Sequence, residues 1–160
     1  MAGKHISYSE WKNWHICPYY HKLTYLDKLT HFEGNIFTAF GKALHNVCED
    51  SFNLGGEYPS QEVLDEQFKK YFVKELKSLP KEEQTRAVSD FKLQEWKTHG
   101  LEILRELYNS MTDAFGVLGD DWVVLTAEER LYVPITEFTA ADKKFKGFID
   151  LVIATKDGKI

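Results

Sequence analysis

Two cysteines, Cys17 and Cys48, in 160 residues are too few for a disulfide framework, and neither has a CxxC partner, so both read as reduced thiols. No apolar run approaches the roughly 20 residues that a membrane span needs. Met1 to Tyr8 also lack the apolar stretch of a secretory signal. These absences lead to the expectation of a soluble, cytoplasmic protein with no membrane partner. Positive charge is not in excess either: 25 acidic residues against 20 basic ones leave a formal charge of -5. That argues against a protein that coats nucleic acid or an anionic bilayer by bulk electrostatics, although a local basic groove stays open. The sequence shows no internal repeat and no low-complexity segment. What is present is 43% hydrophobic and 14% aromatic content, enough for one sizeable core, so residues 1–160 are expected to form a single domain.

Ser7 and Glu10 have capping-box spacing, and Ile6 and Trp11 stand where a hydrophobic staple would place them, so a helix is predicted from Ser7. Cys17-Pro18 ends it, and Pro18 opens a second short helix through Tyr19, Tyr20 and Leu23. Asn35 to Asn53 sets Phe37, Phe40, Leu44, Val47 and Cys48 on one stripe at helical period, with Gly55-Gly56 as terminator. Ser60 to Leu79 repeats the pattern through Leu64, Phe68, Tyr71, Phe72 and Leu76, then breaks at Pro80. A long amphipathic run follows from Lys81 to about Phe115, its apolar side carrying Phe91, Leu101, Leu104, Tyr108 and Met111. Beyond Gly119 the composition turns to Val, Leu, Thr and Tyr. Trp122 to Ile135 and Phe145 to Thr155 read as strands, and Asp157-Gly158 as a hairpin turn into a third strand opening at Lys159-Ile160. The expected class is mixed α+β, helical over 1–118 and sheet over 119–160, with the chain stopping at the start of a strand.

Asp150 is the strongest chemical signal. Alternation sends Phe145, Gly147, Ile149, Leu151 and Ile153 one way and Phe148, Asp150 and Val152 the other, so both faces read as apolar and covered. A carboxylate between Phe148 and Val152 is therefore expected to be shielded from water, where it needs a cation, a metal or several donors. The plainer alternative is a strand-end acid capping a loop or pairing with an arginine. His45 and Glu49, one turn apart, are placed by the periodicity on the flank of the buried stripe, where an imidazole can reach a site and a glutamate can orient it. Gly41, one turn earlier, would admit a backbone or a phosphate. The alternative is a boundary histidine and a solvated glutamate. Of Glu128 and Glu129, alternation turns Glu129 inward with Leu125, Leu131 and Val133, making it a candidate extra ligand, unless a bulge reverses the pair. Trp11, Trp14, Tyr19 and Tyr20 offer faces to the bases of a single strand, but helical spacing favours core. Lys143, Lys144 and Lys146 precede the Asp150 strand and are either phosphate contacts or a solvated run.

In order, the chain presents Ser7-x-Ser9, Cys17-Pro18-Tyr19-Tyr20, Gly41-x-x-x-His45-x-x-x-Glu49, a long helical insert, and Gly147-Phe148-Ile149-Asp150 ahead of an Asp-Gly hairpin. This series resembles RecB-like nucleases of the PD-(D/E)XK superfamily, and the resemblance covers essentially the whole chain. It implies a restriction-endonuclease-like core and hydrolysis of DNA phosphodiesters, in phage or bacterial recombination and repair. The implied metal is Mg²⁺ or Mn²⁺, with His45 and Asp150 as ligands and Glu49 in support, and a helicase or recombinase is an implied partner. The family's next elements, an Asp or Glu and a Lys two residues on, would belong to the strand that begins at Lys159, and Lys159 itself lies too close to the turn. The chain is thus expected to be a catalytically incomplete piece that binds metal poorly and cleaves slowly or not at all. In some relatives a cysteine in the position of Cys17 joins three later cysteines around an iron-sulfur cluster; no cluster is predicted here. A non-catalytic DNA- or protein-binding module of the same fold is the alternative, and a helix-rich docking domain a third reading.

Overall fold

A computed structural model of the chain describes residues 5–29, 33–53, 58–89, 93–135 and 144–160. Along it run β1 (His5–Ser7), α1 (Tyr8–Ile16), α2 (Pro18–His21), a π-helical turn (Lys22–Leu26), α3 (Ile36–Asn53), α4 (Gln61–Ser78), α5 (Lys81–Ser89), α6 (Leu93–Phe115), β2 (Trp122–Pro134) and β3 (Lys144–Thr155). The mixed α+β class is therefore the observed one, with a three-stranded sheet in the order β1-β3-β2. The chain divides into two compact units, Met1–Phe32 with Glu128–Asp150, and Glu33–Ala127 with Leu151–Ile160.

In the first unit, β1 lies parallel to β3 with His5 opposite Lys144 and Ser7 opposite Lys146. Ser7 then caps α1, its hydroxyl accepting the Glu10 amide at 3.1 Å, as the capping spacing requires. Cys17 is extended and caps α2 in turn: its sulfur accepts the Tyr20 amide at 3.5 Å, and Pro18, which has no amide hydrogen to satisfy, fills the first helical position. Glu10 and His21 are joined at 3.2 Å, tying α1 to α2.

In the second unit, α3 packs most extensively on α4, and α6 joins both. Their shared core holds Ile36, Ala43, Val47, Leu64, Phe68, Phe72, Ala87 and Leu104. Gly100 on α6 sits against the Phe68 ring, so that a side chain there would overlap it. The single run expected from Lys81 is two helices, α5 and α6; Phe91 and the Gly55-Gly56 terminator lie outside the described residues. Gly116, at a φ of +87°, ends α6, and the Trp122 indole donates to its carbonyl at 2.9 Å. The Asp157-Gly158 turn forms as expected. Gly158 has a φ of +83°, and Thr155 N–H donates to the Lys159 carbonyl at 2.9 Å. Lys159 accepts that bond, but Lys159 and Ile160 do not themselves form a strand.

Candidate metal centre

The buried line of α3 runs through Ile36, Ala39, Ala43 and Val47. Beside it Phe40 meets the rings of Phe68 and Phe72 on α4 edge-on, and Phe37 is left 56% exposed with its ring edge-on to Trp96. Phe40, Leu44, Val47 and Cys48 of the expected stripe lie in or against the core, while Phe37 departs from it, so the centre of the buried face falls at Ala43 rather than Leu44. At about 100° per residue, His45 stands roughly 200° round from Ala43, so it faces away from the core rather than along its flank. His45 is accordingly exposed and Glu49 half-buried, and their donor atoms lie within 4.8 Å of each other. Nothing would meet a Cβ at Gly41 within 4 Å, so the approach that glycine permits is not used by the protein's own chain.

The same end of α3 is electronegative. Tyr71 donates its hydroxyl to Asp50 at 2.6 Å, and its pKa is raised, first by that bond, then by burial and by the charges of Asp50 and Glu49. A cation beside Glu49 would relieve this crowding of negative charge.

Glu128 carries a backbone φ of +55° inside β2, a left-handed conformation that costs a non-glycine residue about 1–2 kcal/mol. The kink breaks the alternation, leaving Glu128 half-buried and Glu129 exposed. That is the reversal a bulge would produce. Nothing in the residue types signals a left-handed glutamate, so Glu128 as the inward member could not be read from the sequence.

Asp150 is exposed, contrary to the shielding expected of it. The physical reason lies in the sheet: β1 pairs only with Lys144 to Lys146, so β3 has run past its short neighbour by the time it reaches Asp150. Phe148 and Ile149, on opposite faces, are 53% and 39% exposed, so neither face is covered there. Burial therefore supplies no argument for a cation at Asp150. Within the first unit, among the described residues, no three histidine, cysteine or carboxylate donors converge, so Asp150 and Glu129 are not drawn into a ligand set of that unit alone. Asp157 and Lys159 are engaged with each other at the turn, and Asp157 also accepts from the Thr155 hydroxyl.

The aromatic residues of α1 and α2 are not core. Trp11, Trp14, Tyr19 and Tyr20 are 46%, 53%, 67% and 53% exposed. The nine residues of α1 bury none of their number, where spacing alone had favoured packing. Lys143 lies outside the described residues.

The profile of the PD-(D/E)XK nuclease superfamily matches residues 5–160. The chain belongs to that superfamily. No curated protein and no solved structure matches it. Membership accounts for the mixed α+β architecture as a restriction-endonuclease-like fold and implies a metal-dependent nuclease acting on DNA, since enzymes of this superfamily use divalent metals. The residues at hand suit such a metal: an imidazole and carboxylates are ligands for Mn²⁺, and carboxylates with water for Mg²⁺. Among the described residues no helix is long and apolar enough to cross a membrane.

Proposed function

We propose that this chain is a nuclease module of the RecB-like kind, an exonuclease serving phage or bacterial DNA recombination and repair, with residues 1–160 belonging to one nuclease domain. The observation that carries the proposal is the His45–Glu49 pair, an exposed imidazole and a half-buried carboxylate one turn apart on α3, in a chain matched to a nuclease superfamily along its length. His45 and Asp150 serve as metal ligands, and Glu49 either joins them or fixes the imidazole. Between the two glutamates of β2, the half-buried Glu128 is favoured over the exposed Glu129 as a further carboxylate donor. When bound, Mg²⁺ or Mn²⁺ would polarise the phosphate, lower the pKa of an attacking water and steady the leaving oxygen. The strained backbone at Glu128 supports a functional role, because such conformations concentrate at sites that use them. A cytoplasmic location and a helicase or recombinase partner fit this reading.

A second reading is favoured by one observation, the exposure of Asp150: a module of the same fold that binds DNA without cutting it. End-labelled DNA incubated with Mg²⁺ or Mn²⁺ separates the two. The exonuclease reading expects metal-dependent shortening from an end, slow while the acid and lysine of the following strand are lacking, and lost in Asp150→Ala and in His45→Ala. Equal behaviour of parent and both variants removes the assignment.

A further inference from the structure

Alternation along β3 puts Lys144, Lys146, Phe148 and Asp150 on one face of the first unit, at intervals of about 6–7 Å. The spacing is close to that between successive phosphates of an extended nucleic-acid strand. Tyr132, from β2, shares the face. The Lys144 ammonium lies 4.7 Å over its ring and the Arg130 guanidinium 5.9 Å over it, while the Lys146 ammonium lies 5.1 Å over the ring of Phe148. His5 meets Tyr132 edge-on at 6.1 Å. Tyr132 and Phe148 are 39% and 53% exposed, so each ring is open to a further partner. Three cations and two open rings thus line one end of a face whose other end is Asp150, although the chain as a whole carries a charge of -5.

From this layout we infer a track for single-stranded DNA. Lys144, Lys146 and Arg130 take consecutive phosphates, Tyr132 and Phe148 stack on bases, and the strand is led along β3 toward Asp150. The inference rests on the nuclease reading above for the nature of the occupant, and it deepens that reading by specifying an unpaired strand. Stacking requires base faces that a duplex keeps covered, whereas phosphate contacts alone would accept either form. Cation-π contacts hold the ammonium groups over the rings, so an arriving base takes the opposite face or displaces them toward its own phosphate.

The test is binding without cleavage, so that it stands apart from the metal centre. The full chain is titrated against a fluorescently labelled oligothymidine in EDTA, and anisotropy is followed over a range of salt. Lys144→Gln with Lys146→Gln is expected to weaken binding at least tenfold and to flatten the logarithmic salt slope by about 1.4, from roughly 0.7 per phosphate contact on a single strand. Lys144→Arg with Lys146→Arg should bind like the parent, which excludes a folding defect. Tyr132→Ala is expected to weaken binding about tenfold with the slope unchanged, as loss of stacking requires. A duplex of equal length should bind less well. Four results overturn the inference: no binding by the parent in about 50 mM salt, an unchanged slope in the double glutamine variant, an equal loss on Lys69→Gln with Lys70→Gln on the exposed side of α4, or a duplex bound as tightly as the single strand. A chain that passes here yet holds no metal would retain the track and lose the nuclease reading.

Discussion

Replacing Gly100 with alanine tests the helical packing that presents His45. A Cβ at this position would lie 2.5 Å from Cε1 and 2.9 Å from Cε2 of Phe68, and closer still to Cζ. Phe68 cannot swing clear. It is fully buried, its ring stacks on Phe72 at 5.5 Å, and Phe40 meets it edge-on at 5.9 Å. Glycine-to-alanine in a helix interior ordinarily stabilises by about 1 kcal/mol. Overpacking a filled core costs about 1–3 kcal/mol, and with three ring atoms overlapped the upper end applies. The net expectation is a loss of about 2 kcal/mol. At roughly 2–4 °C per kcal/mol for a chain of this size, Tm should fall by about 4–8 °C, and the urea midpoint should fall with no change in slope. Adding Phe68→Leu to Gly100→Ala should recover part of the loss, giving a coupling energy of about 1 kcal/mol or more between two sites that touch. An alanine variant as stable as the parent, or more stable, would mean that α4 and α6 do not approach this closely.

Further outcomes follow from the same geometry. Ser7→Ala removes the acceptor for the Glu10 amide and should cost about 1 kcal/mol, seen as faster hydrogen exchange in the first turn of α1; unchanged exchange would count against the cap. At the left-handed position 128, Glu128→Gly should be more stable than Glu128→Ala by about 1 kcal/mol in chemical denaturation, and equal stabilities would deny the kink. Burial, and secondarily the Cys48 thiolate, raise the pKa of Tyr58, whose hydroxyl donates to the Leu104 carbonyl at 3.3 Å. Because the folded value lies above the unfolded one, this contribution is complete below about pH 10 and fades as pH climbs beyond it. Stability should therefore fall between about pH 10 and 12 in the parent and less steeply in Tyr58→Phe; parallel profiles would refute the link.

Local chemistry was the legible part of the sequence. The Ser7 cap, the Cys17-Pro18 junction, the α3 and α4 helices and the Asp157-Gly158 turn are each decided by residues within a few positions of one another, and each lies where spacing predicts. What failed depends on neighbours remote in sequence. β1 is three residues long and exists because Lys144 to Lys146 pair with it, a fact invisible in His5, Ile6 and Ser7 themselves. On α3, Phe40, Leu44, Val47 and Cys48 of the expected stripe do pack on the core, Phe40 edge-on to Phe68 and Phe72, while Phe37 turns outward to Trp96 on α6, a partner its own neighbours in sequence do not reveal. Asp150 read as buried because both faces of its strand are apolar, yet apolar alternation does not say how far the covering elements extend. The candidate site was legible in the same measure: the one-turn spacing of His45 and Glu49 could be read directly, whereas the left-handed turn at Glu128 could not.

Crystals soaked in manganese and measured at the manganese edge address the central claim most directly. The account predicts one anomalous peak bonded to a ring nitrogen of His45 and to at least one carboxylate of Glu49 or Asp150. A manganese ion that settles elsewhere, or a His45 imidazole that touches none at saturating metal, would contradict it.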